Sequence, residues 1–251
     1  MELLSTLEQN NVYNTYTQIA KYFSATREKI WPSVIDFYKK LENDSLILDA
    51  GCGNGKNLLI NKELLQEKNF KFIAFDLVPN FVNITKQRVQ EYYDNTDIIN
   101  PVKNIYESNI LNISNEETNK FDAVISVAVI HHLDTEEKRI QSIKECLRVL
   151  KPKGLFMFQV WSYEQDRDSK FKFDIGDNNV EWKVLKHQIT KDTNKKDKKD
   201  KNDIKEVHNR YYYIHNEELL KNMLNKVVLQ TNCKIINYYN QKGNWIVILE
   251  K

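Results

Sequence analysis

The sequence predicts an α/β fold built on a doubly wound sheet, and three observations carry that reading. Short apolar runs closed by an acidic residue alternate with stretches whose apolar residues recur at helical spacing. Gly51, Gly53 and Gly55, half of the six glycines in the chain, crowd the turn after the first of those runs. Two further apolar runs, joined by Gln241-Lys242-Gly243-Asn244, end the chain as an antiparallel hairpin. With 251 residues, 41% of them hydrophobic, one large core is affordable, so residues 1–251 are expected to form a single domain.

Taken in order, Val12, Tyr16, Ile19, Ala20 and Phe23 mark a first helix. A second opens at Trp31-Pro32, where proline suits the first turn, and runs through Val34, Ile35, Tyr38 and Leu41. Residues 1–44 thus read as an N-terminal helical cap. Leu46 to Asp49 is a buried strand feeding the glycine loop, followed by a helix around Asn57 to Leu65 and a strand Phe72 to Asp76. A helix on Phe81, Ile84, Arg88 and Tyr92 leads to a strand near Val102 to Tyr106, and another strand follows from Phe121 to Val127. Asp134 with Glu137 reads as a capping box for a helix whose stripe is Ile140, Ile143, Leu147 and Leu150. Strand Leu155 to Trp161 comes next. Residues 190–206, with the run Lys195 to Lys201, offer nothing to pack and are expected to be a disordered loop. The fold resumes at Tyr211, with a helix on Leu219, Leu220, Met223 and Val227 and then the hairpin strands Lys234 to Tyr239 and Trp245 to Leu249.

Composition excludes several classes. No apolar run reaches the roughly 18 residues of a membrane span, and the N-terminus has no basic region ahead of an apolar signal core. A soluble, unsecreted protein without a membrane partner is expected, cytoplasmic or also nuclear. Cys52, Cys146 and Cys233 are odd in number and scattered, which suggests neither a disulfide framework nor a zinc site. The formal charge of +2 is far from the basic excess that would announce nucleic acid by itself.

The glycine loop carries the chemistry. Glycines after a strand let a ligand approach the backbone. A dinucleotide fingerprint would need its third glycine at position 56, which is Lys56, whereas the G-x-G-x-G of Gly51, Gly53 and Gly55 after Asp49 resembles the form found in S-adenosylmethionine-dependent methyltransferases. Gly51, Cys52, Gly53, Asn54 and Gly55 would then wrap the cofactor. Asp49 is placed to accept from its ammonium, directly or through water, and Asp76 to take both ribose hydroxyls. Asn109 is either an adenine contact or a turn asparagine. Ser126 and Val127 end the fourth strand at the carboxyl edge, where such sheets bind ligands, and are read as cofactor contacts. His131 and His132 follow. Adjacent histidines point apart and no further ligand cluster lies nearby, so substrate contact is the reading and no metal is expected. Tyr211, Tyr212 and Tyr213 are core and rim residues before they are base-stacking ones.

Further segments are similar to the eukaryotic wobble-uridine tRNA methyltransferases that esterify 5-carboxymethyluridine at the anticodon. They include Phe23-Ser24-Ala25-Thr26-Arg27, Trp31-Pro32, Val160 to Gln165, Val180-Glu181-Trp182, Arg210-Tyr211-Tyr212 and Gly243 to Ile248. Leu77 and Val78 stand where that family usually has a basic residue and a serine. The resemblance implies a class I methyltransferase with a Rossmann-like sheet, S-adenosylmethionine as methyl donor and tRNA as substrate. It also implies a small zinc-binding activator as heterodimer partner and a third strand at a sheet edge; the activator is expected to pair with that edge, where Val102, Ile105 and Tyr106 supply apolar side chains. The acceptor carboxylate would meet Arg27 first, with His131, His132 and Arg139 next. A small-molecule carboxyl or O-methyltransferase on the same fold is the alternative, and a scaffold that has lost its chemistry is a third reading.

Overall fold

The computed structural model describes residues 4–185 and 204–251. Among them, nine strands and seven helices build a three-layer α/β/α sandwich with a ribbon laid over one end. Strands β1 (Leu46–Ala50), β2 (Lys71–Asp76), β3 (Val102–Glu107), β4 (Phe121–Val127) and β5 (Leu150–Trp161) run parallel. They join β8 (Lys234–Gln241) and β9 (Asn244–Glu250) in the order β3-β2-β1-β4-β5-β9-β8, with β9 antiparallel to both of its neighbours. The order reverses between β1 and β4, and a doubly wound sheet opens its ligand crevice at such a point.

The period of two along each strand sends alternate residues to opposite layers. In β2, Phe72 and Ala74 enter the core beneath α3 (Pro32–Lys40), α4 (Lys62–Lys68) and α5 (Pro79–Asp94). Ile73 and Phe75 enter the core beneath α6 (Glu136–Val149) and α7 (Glu217–Thr231). Parallel strands buried on both faces read as unbroken apolar runs, which is why β1, β2 and β4 are legible in the sequence. The first part of the N-terminal cap is one long helical path, α1 (Thr6–Glu8), a π-helical stretch Gln9–Asn14 and α2 (Thr15–Ala25), and α3 completes the cap. Its Tyr16, Ile19 and Ala20 pack on Phe81 and Val78 at the start of α5.

Four expectations need correction. The chain after the glycine loop does not enter a helix at Asn57: a 3-10 turn, Lys56–Leu58, ends at Leu59 with φ −89° and ψ 66°, and α4 begins only behind the Asn61 cap. Asp134 does not cap α6; Thr135 does, accepting from the Lys138 N–H, while Asp134 pairs with the Lys138 ammonium at 3.0 Å. Part of the polar region after Trp161 is an antiparallel ribbon of β6 (Gly176–Leu185) and β7 (Ile204–Ile214). Most of the expected 190–206 loop lies outside the described residues, but 204–206 belong to β7. Val184 and Trp182 of the ribbon join the cluster around Tyr16. No helix of the described residues is long and apolar enough to cross a membrane.

Candidate active site

The crevice at the switch point opens into a cavity of about 970 Å³. Its floor is the turn after β1. The N–H groups of Gly51 and Cys52 both donate to the Phe75 carbonyl at 2.9 Å, which ties the turn to the end of β2. Gly51, Gly53 and Gly55 all have positive φ, at 84°, 54° and 72°. A Cβ on Gly51 would overlap Val129, and one on Gly55 would sit 2.5 Å from Thr85 Cγ2, whereas one on Gly53 meets nothing within 4 Å. Two of these glycines therefore admit neighbouring protein; Gly53 leaves space on the cavity side.

Asp76 closes β2 on the cavity wall. Its Oδ2 accepts from the Gly53 N–H at 2.7 Å and its Oδ1 from the Val78 N–H at 2.9 Å. Burial pushes the carboxyl up to about 6, against the pull of those backbone donors. An ionised carboxylate has about four acceptor sites, so each oxygen keeps capacity for a ligand hydroxyl. Asp49 lies deeper, fully buried and off the cavity wall. Neither of its oxygens meets hydrogen-bond geometry with a partner among the described residues, although the Asn57 side chain stands near enough to pull its pKa down. Burial first, and then the charge of Asp76, push it up to about 8. An orphaned buried carboxylate beside a side-chain-free cradle suits a ligand carrying both a cation and a diol, and S-adenosylmethionine has both.

The other expected cofactor residues divide. Cys52, Asn54, Asn109 and Val127 line the cavity with Gly51 and Gly53, and Gly55 does not. The Asn54 amide donates to the Arg27 carbonyl at 2.7 Å and to the Ser24 carbonyl at 3.2 Å, so its work is to hold the cap against the loop. Asn109 Oδ1 accepts from the Leu111 N–H at 2.9 Å, making it a turn residue whose amide hydrogens remain for a ligand. Ser126 is fully buried, donates to the Ala50 carbonyl at 3.0 Å and ties β4 to β1 away from the cavity.

The acceptor residues divide too. Arg27 lines the cavity, its guanidinium 5.0 Å from the Phe23 ring centroid and 5.6 Å from that of Trp182. His132 also lines it. Its Nδ1 lies 2.7 Å from the Tyr211 carbonyl, which can only accept, so Nδ1 carries the proton and Nε2 accepts from the Tyr16 hydroxyl at 3.1 Å. Burial holds the ring down to about 3, hence neutral. His131 is fully buried, with Nδ1 accepting from the Trp161 N–H at 3.0 Å, and does not reach the cavity. Arg139 likewise turns inward: its Nη1 donates to the Leu133 carbonyl at 2.7 Å and its guanidinium lies 3.6 Å from the Tyr213 ring centroid. These partners take up part of each buried group, while His131 Nε2 and Arg139 Nε have no hydrogen-bond partner among the described residues.

Three lining residues were not expected at the acceptor end: Arg210, Tyr16 and Tyr212. Arg210 Nη1 donates to the Tyr212 hydroxyl at 2.6 Å. Tyr212 in turn lies 3.1 Å from the Tyr16 hydroxyl, extending one hydrogen-bonded line from Arg210 to His132. The Arg-Tyr-Tyr segment was the available signal, but only the ribbon's pairing turns Arg210 and Tyr212 toward the crevice.

A glycine turn at the switch point, a carboxylate closing the second strand and a single antiparallel strand among parallel ones define a methyltransferase domain. The methyltransferase-domain family model matches residues 48–158. The tRNA (carboxymethyluridine(34)-5-O)-methyltransferase of Schizosaccharomyces pombe is 32% identical over 248 residues, covering 97% of each chain. That of Xenopus tropicalis is 31% identical over 284 residues, covering 98% of this chain and 42% of its own. This chain also spans only 26% of the Macaca fascicularis relative and 22% of the mouse one. The chain belongs to the tRNA (carboxymethyluridine(34)-5-O)-methyltransferase family. Solved structures agree on the fold: a SAM-dependent methyltransferase from Aquifex aeolicus superposes with a TM-score of 0.60 at 16% identity, over 93% of this chain and 97% of that one. The SAM-bound amino pentose methyltransferase CalS10 from Micromonospora echinaspora gives 0.62 at 14% identity, over 91% and 95%.

Proposed function

We propose that this chain methylates the carboxylate of 5-carboxymethyluridine at the wobble position of tRNA, using S-adenosylmethionine. The observation that carries the reading is a pair of arginines, Arg27 and Arg210, in the cavity that holds Asp76 and the glycine cradle. Neither has a carboxylate within ion-pair distance among the described residues. Along the same wall, Arg27, Lys29, Lys56, Arg210 and Lys242 face only Glu8, Glu28 and Asp76. A cavity with spare cations suits an anionic acceptor.

When bound, S-adenosylmethionine supplies a methyl group on a sulfonium sulfur. The chain's own residues then have to position the acceptor, because a carboxylic acid of pKa about 4 is already ionised at neutral pH and needs no general base. Neutral His132, its lone pair already engaged by Tyr16, fits a positioning role. Arg27 and Arg210 recognise the carboxylate, and the aromatic wall of Phe23, Trp161 and Tyr212 keeps water from the reacting atoms. The relatives' names give the acceptor class, and the cavity's charge supports it.

A small zinc-binding activator completes this reading as a heterodimer partner. The edge position of β3 supports it, since an edge strand leaves backbone donors and acceptors open to strand addition. Ile105 is buried in the chain's own core, so pairing falls to the backbone and to half-buried Val102 and Tyr106. Slowed amide exchange across Val102–Glu107 on adding the activator tests the pairing; unchanged exchange in a formed complex overturns it.

The main test incubates the protein, with activator and methyl donor, with tRNA bearing 5-carboxymethyluridine and reads the nucleosides by mass spectrometry. The methyl ester is expected. Its absence, with methylation of a free carboxylic acid instead, would make this a small-molecule enzyme.

A further inference from the structure

Beside the acceptor end, two rings on the chain after Trp161, Phe171 and Phe173, extend the aromatic wall outward and take no part in the methyl transfer described above. Tyr212 stacks on Trp161, centroids 4.2 Å apart and planes 7° apart. Trp161 is followed outward by Phe173 at 5.1 Å and 29°, and by Phe171 at 5.6 Å and 40°. Phe171 and Phe173 lie 5.8 Å apart with planes only 11° apart, and both line the cavity. Phe171 is nevertheless 51% exposed. The two rings stand two residues apart in Lys170-Phe171-Lys172-Phe173, a segment outside any strand or helix, with both lysines exposed. The exposed half of Phe171 lies beside the cavity, where a further ring can reach it. Asp168 and Asp174 flank the segment, so charge does not select its ligand; the near-parallel ring faces do.

We propose that Phe171 and Phe173 form a stacking subsite for the nucleobase next to the acceptor uridine. This rests on the tRNA reading above and adds to it a specific contact outside the reacting nucleotide. Continuity with the acceptor wall through Trp161 and Tyr212 argues for a neighbouring base, because an RNA loop entering the cavity must carry its adjacent base across this mouth. Stacking on aromatic side chains tolerates any base identity. The subsite therefore contributes affinity for the loop and leaves discrimination to the carboxylate contacts.

The test is equilibrium binding, which needs no turnover. An anticodon stem-loop carries 2-aminopurine on either the 5′ or the 3′ side of the acceptor uridine. On binding the wild-type protein, fluorescence of one of the two probes should be quenched. Phe171→Ala should abolish that quench and weaken stem-loop binding roughly 10-fold, Phe171→Trp should keep both, and S-adenosylmethionine affinity should not change. Binding of the acceptor mononucleotide should be the same in Phe171→Ala as in the wild type. An undiminished quench in Phe171→Ala, or equal weakening for mononucleotide and stem-loop, overturns the proposal; the second result would make the pair a wall of the acceptor chamber. Quench without ester formation by the wild type would sink the methyl-transfer reading alone, and ester formation without quench would sink the subsite alone.

Discussion

The backbone N–H of Gly53 donates to Asp76 Oδ2 at 2.7 Å, so the residue that leaves the cradle open is pinned by the carboxylate that closes β2. The bond joins the two parts of the sequence most readily assigned to the cofactor and makes them one device. Asp76→Ala should remove the ribose acceptor and release the loop together. A hydrogen bond to a charged group contributes about 1.5 to 3 kcal/mol, so calorimetry should show S-adenosylmethionine binding weakened by roughly 10- to 150-fold. Unchanged affinity in a folded mutant would mean that the ribose is held elsewhere.

Gly51 and Gly53 should respond differently to alanine. Both substitutions force a side chain into left-handed backbone, costing roughly 1 to 2 kcal/mol. At Gly51 the new Cβ also overlaps Val129, so Gly51→Ala should lower the melting temperature much further than Gly53→Ala. At Gly53 the Cβ projects into free space, so that mutant should fold and yet bind S-adenosylmethionine poorly. Wild-type affinity in Gly53→Ala would show that the ligand does not approach this backbone.

The contrast between these glycines marks how far the sequence was legible. Their crowding after Leu46–Ala50, and the carboxylate at the end of Lys71–Asp76, follow from local pattern, because buried parallel strands are short apolar runs and a ligand turn needs small residues. The fate of polar residues at the sheet edge does not follow. Ser126, His131 and Arg139 look like site residues along the chain, but each turns into the protein, to the Ala50 carbonyl, the Trp161 N–H and the Leu133 carbonyl. Which way such a side chain turns depends on partners distant in sequence. The ribbon shows the same limit. Val180, Trp182 and Val184 alternate with Glu181 and Lys183 as a half-buried strand should, but the run is short and its partner, Ile204–Ile214, lies beyond a long polar segment; pairing with it is what carries Arg210 to the cavity.

Asp49 supplies a pH signature. Burial and Asp76 push its carboxyl up to about 8, so the free protein holds a proton there at pH 7. A cofactor ammonium beside it favours the ionised form. Binding should therefore release a proton at pH 7, and affinity should climb with pH until about 8 and then level off. Calorimetry in two buffers of different ionisation enthalpy measures the release, and Asp49→Asn should remove it. Identical heats in both buffers for the wild type would place the ammonium away from Asp49.

Arg27 allows the acceptor reading to be tested without disturbing the fold. Its guanidinium is half-buried over Phe23 and Trp182 and, among the described residues, makes hydrogen bonds only to its neighbour Thr26, at 3.3 Å to the carbonyl and 3.1 Å to the hydroxyl. Burial, together with the nearby positive charge of Arg210, lowers its pKa from the usual arginine value. Both effects make an incoming carboxylate more welcome than a neutral group of the same shape. A stem-loop bearing 5-carboxymethyluridine should then bind the wild type more tightly than one bearing the carboxamide, by roughly 10-fold or more for a contact of about 1.5 to 3 kcal/mol. Arg27→Ala should erase most of that preference while leaving the melting temperature and S-adenosylmethionine affinity nearly unchanged. If the preference survives in Arg27→Ala and disappears only in Arg210→Met, the carboxylate is read by the ribbon's arginine, and the cap serves as cover. If neither substitution alters it, the acceptor is not held by this pair.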